Sequence, residues 1–161
     1  MSKNKPVVVI GLMGSGKTTV GKLLARELGV PLSDSDPYLR GRYGASAAEI
    51  AKAEGADVLH RREAEHVLHA LTEPPQVIAA AASTVEDPRV REALRAAFVV
   101  WLDAPDEILA QRMRSSDHRP EFSPSAMRAR REPYFLQLAD LRLDVSTATP
   151  ENTATTIYEA L

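Results

Sequence analysis

The amino-acid sequence predicts an α/β fold of three layers, in which a five-stranded parallel sheet is covered by helices on both faces. Short apolar runs rich in β-branched residues alternate along the chain with longer segments of helical periodicity. The chain has 161 residues, of which 44% are hydrophobic. That is enough for one buried core and too short for two typical domains, so a single domain spanning residues 1–161 is expected.

The first strand and helix surround a glycine-rich turn. Val7–Ile10 is β-branched and ends at a glycine, which is typical of a buried strand. Lys17–Leu28 carries apolar residues three and four positions apart, and Gly29 then ends this predicted helix. Pro31–Asp36 has the pattern of a short second strand that finishes in acidic residues.

Two helices are predicted next. Ser46 and Glu49 have the spacing of a capping box, which opens a helix that runs to about Glu54. Ala56–Leu71 follows with apolar residues at helical spacing, among many charged ones. Within it, His66 and His69 suggest a metal site with a nearby glutamate, but their charged surroundings favour a solvated helix face.

The second half of the chain repeats the alternation of strands and helices. The polar segment Ser115–Pro124 contains two prolines and an arginine, and we expect it to form a mobile lid. The predicted strands are Gln76–Ala80, Phe98–Leu102 and Leu141–Val145, and the predicted helices are Pro88–Ala96, Pro105–Met113 and Pro150–Leu161.

Composition restricts the classes of partner. The net charge is −2, so no global basic field is present to attract nucleic acid, and local arginine clusters such as Arg128, Arg130 and Arg131 are typical of solvated helix faces. The chain has no cysteine, which excludes disulfides and thiolate metal sites. The apolar run Val7–Ile10 is too short to cross a membrane. We therefore expect a soluble, cytoplasmic monomer that acts on a small molecule.

Residues Gly11–Thr18 fit the P-loop pattern G-x-x-x-x-G-K-[ST] between the first strand and the first helix. Its glycines allow consecutive backbone N–H groups to face phosphate oxygens. Lys17 would contact the β- and γ-phosphates, and the Thr18 hydroxyl would bind Mg²⁺. The cofactors predicted are therefore ATP and Mg²⁺, bound by Gly11, Met13, Gly14, Ser15, Gly16, Lys17, Thr18 and Thr19.

Two carboxylates, Asp34 and Asp36, follow the second predicted strand beside the phosphate site. One could hold Mg²⁺ through water, and the other could accept a proton from an attacking hydroxyl. A polar loop with a helix cap would have the same sequence, so this pair alone does not decide between the two interpretations.

Over nearly its whole length the sequence resembles shikimate kinase, a small member of the P-loop group related to nucleoside-monophosphate kinases. Several short motifs together are far more specific than the P-loop alone. They are Gly11–Thr18 with Val20-Gly21, Asp34-Ser-Asp36, Glu54-Gly55 leading to Glu63, Val77-Ile78-Ala79, Arg112, Arg119-Pro120, Arg131-Glu-Pro133 and Ala139-Asp140.

The resemblance implies a role for each matching position. Thr18 and Asp34 would bind Mg²⁺, and Asp36 would hydrogen-bond the acceptor hydroxyl as the candidate base. Lys17, Asp36 and Arg119 would form the catalytic set. The remaining implied roles are contact with adenine for Arg112, a lid position between nucleotide and acceptor for Arg119, and binding of an anionic substrate group for Arg131.

The sequence departs from the family on the acceptor side. An arginine that binds the substrate carboxylate is replaced by His60, which cannot form a guanidinium fork. Neighbouring Arg61 points roughly 100° away on a helix. Three consecutive glycines are replaced by Ala81-Ala82-Ser83, whose Cβ atoms would crowd or redirect the loop at Ala82. A structural role for His60 without a ligand is as compatible with the sequence as a binding role.

Three functions remain open on the sequence alone. The first is an ATP-dependent kinase of shikimate or a related hydroxylated metabolite. The second keeps the chemistry but uses a sugar, polyol or other cyclitol as acceptor, and the third is a nucleotide-binding module without catalysis. Because Asp36 and Arg131 are retained while His60 and Ala82 differ, we expect poor use of shikimate. Restoring arginine at 60 and glycines at 81–83 should improve it.

Overall fold

The computed structural model describes residues 4–116 and 123–161. Five parallel strands form one sheet in the order β2-β3-β1-β4-β5. The strands are β1 (Val7–Ile10), β2 (Leu32–Asp34), β3 (Val77–Ala79), β4 (Phe98–Asp103) and β5 (Leu141–Asp144). The helices are α1 (Lys17–Leu28), α2 (Ser35–Tyr43), α3 (Ala47–Glu54), α4 (Ala56–Ala70), α5 (Pro88–Ala93), α6 (Asp106–Ser116), α7 (Pro124–Leu138) and α8 (Pro150–Ala160), with 3₁₀ helices at Ala82–Glu86 and Leu94–Ala96.

Strand β1 occupies the centre of the sheet. Val8 pairs with Ile78 of β3 on one side and with Val99 of β4 on the other, and all three side chains are buried. All pairings are parallel, so the carboxyl ends of the strands meet at one edge of the sheet. In sheets of this kind ligands bind at that edge, and the glycine-rich turn after β1 lies there.

The predicted α/β fold with five parallel strands is confirmed. Helix α1 has its predicted bounds, and Ser46 and Glu49 form the expected capping box at the start of α3. The other predicted elements are present with ends that differ by up to three residues. Within the described part of the chain, no helix is long and apolar enough to cross a membrane.

Two helices, α2 and α7, were not predicted. Helix α2 begins directly after β2, so Asp36 lies in its first turn rather than at a strand end. Helix α7 contains Pro133, a residue that usually ends a helix, and is fixed by distant contacts. Its Phe135 packs against Trp101 of β4 with ring centroids 5.4 Å apart.

Residues at both ends of the predicted lid Ser115–Pro124 belong to helices or to a helix cap. Helix α6 extends to Ser116, and Pro124 begins α7, whose N-terminus is capped by the Ser123 hydroxyl. Most of the intervening segment, including Arg119, lies outside the described residues.

The expectation for the two histidines of α4 is wrong for His66. Its side chain is fully buried, and its Nε2 lies 2.8 Å from the Ser33 hydroxyl. Burial first, and proximity to His69 second, lower the pKa of His66 to about 4. His66 is therefore a neutral core residue that joins α4 to β2.

Candidate functional site

The glycine-rich turn after β1 requires glycine for steric reasons. Gly11, Gly14 and Gly16 all have positive φ, which side chains rarely tolerate. A Cβ atom on Gly11 would also lie 2.5 Å from the Leu102 carbonyl oxygen of β4. Gly16 precedes α1 and has no side chain to cap it, so the first N–H groups of the helix face the turn. This geometry is suited to binding phosphate.

Lys17 is the first residue of α1 and folds back over the turn. Its Nζ donates hydrogen bonds to the carbonyl oxygens of Gly11, at 2.8 Å, and Leu12, at 3.2 Å. Burial, reinforced by the nearby Arg131 cation, lowers the pKa of Lys17 to about 8, although Asp34 and Glu63 act in the opposite direction. The ammonium group is therefore a cation at neutral pH that is poorly compensated within the protein.

Thr18 and Asp34 meet at the carboxyl edge of the sheet. The Thr18 hydroxyl donates a hydrogen bond to Asp34 Oδ2 at 3.0 Å. Their oxygens are of the type that Mg²⁺ prefers, and Mg²⁺ is commonly bound by one or two protein oxygens together with phosphates and water. Within residues 4–116 and 123–161, no cluster of three or more His, Cys, Asp or Glu side chains could hold a metal by itself. The residues present thus fit an ion that arrives with a nucleotide.

Arg112 of α6 lies on the other side of the glycine-rich turn. Its guanidinium donates to the Gly14 carbonyl oxygen at 3.1 Å and to the Val145 carbonyl oxygen at 3.0 Å. It lines a cavity of about 260 Å³ together with the turn and the start of α8. A guanidinium plane held in this way can stack against a flat aromatic ring such as a purine.

A larger cavity of about 390 Å³ lies between α4, the 3₁₀ helix after β3, and α7. Lys17 contributes to its wall, so this cavity adjoins the phosphate-binding turn. Its lining residues are Met13, Lys17, Ala56, His60, Glu63, Ala81, Ala82, Ser83, Met127, Arg130 and Arg131.

Two carboxylates hold polar side chains of this cavity in place: Glu63, which lines it, and Glu86, which lies outside its lining. The Ser83 hydroxyl donates to Glu63 Oε1 at 2.9 Å, and both side chains are buried. Arg131 Nε donates to Glu86 Oε2 at 2.8 Å, while Arg130 Nε donates to Glu86 Oε1 at 2.6 Å. Although burial alone would raise the pKa of Glu86, its hydrogen bonds and attraction to the two arginines leave that pKa below its usual value.

Asp36 is not among the lining residues of the larger cavity. Its carboxylate forms an ion pair with Arg40 at 2.7 Å and accepts a hydrogen bond from the Ala47 backbone N–H at 3.3 Å. The side chain of Asp36 is 47% exposed. Among the described residues, the structure thus brings together Lys17, Thr18 and Asp34 but leaves Asp36 in a separate ion pair.

Comparison with known proteins is consistent across sequence and structure. The shikimate kinase family model matches residues 13–161. A shikimate kinase of Symbiobacterium thermophilum is 39% identical, over 96% of this chain and 95% of the relative. A shikimate kinase of Thiobacillus denitrificans is 32% identical, over 100% of this chain and 92% of the relative. A shikimate kinase from Acinetobacter baumannii, solved in complex with shikimate, has a TM-score of 0.91 and 26% identity, over 99% of this chain and 93% of the other.

The chain belongs to the shikimate kinase family. It is accordingly an ATP-dependent phosphotransferase whose acceptor group is a hydroxyl.

Within this shikimate kinase family member, the backbone at Ala81 is unstrained. Ala81 has φ −59° and ψ 147°, a conformation open to any residue, and Ala82–Glu86 then forms a 3₁₀ helix. Because Ser83 hydrogen-bonds Glu63, replacing Ser83 with glycine would remove a donor from a buried carboxylate. The glycine restoration should thus be confined to 81 and 82.

Glu86 was missed by sequence reasoning, as was the burial of Arg131. Arg131 is 5% exposed and does not lie on a solvated face. Arg128, also assigned to a solvated face, pairs with Asp103 at 3.0 Å, Asp106 at 2.7 Å and Glu132 at 2.7 Å. Glu132 lies four residues after Arg128, which is the local spacing of a helical ion pair. Asp103 and Asp106 are distant in the sequence, so no local spacing indicates those two pairs.

Proposed function

We propose that this protein transfers the γ-phosphate of Mg-ATP to a ring hydroxyl of shikimate or a closely related small polyol. The observation that carries the proposal is the position of Lys17, which belongs to the phosphate-binding turn and to the wall of the larger cavity. A γ-phosphate held by Lys17 would lie at the mouth of that cavity. An acceptor inside the cavity would therefore present its hydroxyl directly to the phosphorus atom.

The nucleotide half has the clearer assignments. Lys17 and the glycine-rich turn would bind the phosphates, and Arg112 would contact the adenine. Thr18 and Asp34 would hold Mg²⁺, which neutralises charge on the β- and γ-phosphates when bound. The hydrogen bond between Thr18 and Asp34 supports this pairing because it already places both oxygens together.

The acceptor half would be formed by His60, Ala82 and Arg131. Asp36 remains the candidate proton acceptor, since it lies two residues beyond Asp34, but it would have to leave Arg40 to act. Catalysis of phosphoryl transfer depends mainly on positioning the reactants and stabilising their charge, and less on a strong base. The position of Arg119 on the lid remains a prediction.

The test measures ADP release with a coupled assay, using shikimate, its primary amide and uncharged cyclitols as acceptors. Lys17→Met serves as the inactive control, and mass spectrometry identifies the phosphorylated product. We expect acceptor-dependent ADP release from the wild type that Lys17→Met lacks. A protein that binds Mg-ATP but phosphorylates none of these acceptors at millimolar concentration would instead be a nucleotide-binding module.

A further inference from the structure

The larger cavity has a histidine at position 60, where the sequence resemblance leads us to expect an arginine, but α7 supplies two arginines to its wall. Arg130 and Arg131 both line the cavity, as does His60 of α4. Arg61, the neighbour of His60 in the sequence, is not among the described lining residues. Within the described part of this wall, the guanidinium groups that an acceptor would meet therefore come from α7.

Glu86 brings these two guanidinium groups together. Consecutive side chains on a helix point roughly 100° apart. Nevertheless, Arg130 Nε donates to Glu86 Oε1 at 2.6 Å, and Arg131 Nε donates to Glu86 Oε2 at 2.8 Å. Over residues 4–116 and 123–161, the Nη groups of both arginines have no hydrogen-bond partner. The pair of Nη groups at the end of a guanidinium is an edge that binds a carboxylate.

The charges of this wall favour one further anion on the α7 side. The two guanidinium groups and the Glu86 carboxylate together carry one net positive charge. Glu63 is the one carboxylate among the described lining residues, and it lies on α4, where it accepts a hydrogen bond from Ser83. Attraction to the arginines and repulsion from Glu63 would therefore both place an acceptor carboxylate against α7.

We propose that Arg130 determines specificity for the acceptor: together with Arg131 it binds the acceptor carboxylate, and so takes the place of an arginine at position 60. This inference rests on the proposed kinase function with shikimate as acceptor. The ring would lie in the larger cavity, with its carboxylate at the Nη groups of α7 and a hydroxyl toward Lys17. The side chain of Arg130 is 62% exposed and that of Arg131 is 6% exposed, so Arg131 should bind the carboxylate more strongly.

The decisive experiment compares shikimate with its primary amide, which has nearly the same shape but no charge. Arg130→Gln removes the positive charge and keeps a polar side chain. It should raise KM for shikimate by about tenfold, the effect of one charged hydrogen bond that water partly screens. KM for the amide, KM for ATP and kcat should not change, because the lost contact holds the ground state and the transition state alike.

Arg95→Gln is the matched control, because it removes the same charge from an exposed arginine that pairs with Glu92. Its KM for shikimate should equal that of the wild type. Adding His60→Arg to Arg130→Gln should recover affinity for shikimate, since it returns a second guanidinium to the cavity wall. A thermal shift with a non-hydrolysable ATP analogue verifies that each variant is folded.

The outcomes separate the inference from the kinase function. A folded wild type that phosphorylates neither acceptor overturns both. Equal KM values for shikimate in Arg130→Gln and Arg95→Gln overturn the role of Arg130 alone, as do equal increases in KM for shikimate and the amide in Arg130→Gln. A wild type that uses the amide as well as shikimate also overturns it, without any variant. If His60→Arg recovers nothing, Arg130 does not take the place of an arginine at position 60.

Discussion

The half-buried cation of Lys17 should make the stability of the nucleotide-free protein depend on pH. Its pKa is about 8 in the folded chain, against 10.5 for an ordinary lysine. Between these values the unfolded chain binds more protons than the folded one, so the free energy of unfolding rises with pH. At 1.36 kcal/mol per pKa unit, the rise from about pH 7 to about pH 9.5 is about 2 kcal/mol. Lys17 is half-buried, so solvent screening makes this an upper value.

Urea unfolding of the wild type and of Lys17→Met, measured at several pH values without nucleotide, isolates this contribution. The contributions of titratable groups common to both proteins cancel when one pH profile is subtracted from the other. From about pH 7 to about pH 9.5, the free energy of unfolding of the wild type should rise by about 1–2 kcal/mol more than that of Lys17→Met. Parallel pH profiles would refute the reasoning. In the active enzyme kcat/KM for ATP should fall above about pH 8, because an uncharged lysine no longer attracts phosphate.

Three further predictions follow from the described geometry. Asp34→Asn should reduce about tenfold the gain in affinity that Mg²⁺ gives to a fluorescent ATP analogue, and an unchanged gain would exclude Asp34 from the metal site. Gly11→Ala should lower the melting temperature by at least about 4 °C, because its Cβ atom meets the Leu102 carbonyl, whereas Gly41→Ala, with open space around it, should not lower it. Between about pH 6.5 and about pH 5, the free energy of unfolding of the wild type should fall by up to about 2 kcal/mol more than that of His66→Gln. The reason is that only the unfolded chain binds a proton at His66 in this range. Equal losses in urea unfolding of the two proteins would contradict this.

The elements that sequence reasoning found are those governed by local rules. The glycine-rich turn, the capping box at Ser46 and the β-branched run of β1 each have their physical cause within a few residues. Helix α2 has no such signal, because it is short, contains Gly41, and has Leu39 as its one fully buried apolar residue. Helix α7 owes its position to contacts of Arg128 with Asp103 and Asp106, residues of a different part of the chain.

The nucleotide half and the acceptor half of the site also differ in how far the local sequence predicts them. The nucleotide half comes largely from one contiguous segment, so its motif could be read directly. The acceptor half combines α4, α7 and the segment after β3, and the ion pair of Glu86 with Arg131 joins residues 45 positions apart. The substitution at His60 was visible in the sequence, but the hydrogen bonds of Ser83 with Glu63 and of Arg131 with Glu86 depend on packing.

The parallel sheet also governs when the phosphate-binding turn can form. Val7 of β1 pairs with Val77 and Phe98, so the central strand has no sheet partner until much later parts of the chain are available. The close approach of Gly11 to Leu102 likewise requires β4. Forming such distant pairings carries a cost in loop closure and makes folding slow compared with helical proteins. The turn is therefore synthesised before the strands that shape it, and we expect ATP to bind only after β1 has paired with β3 and β4.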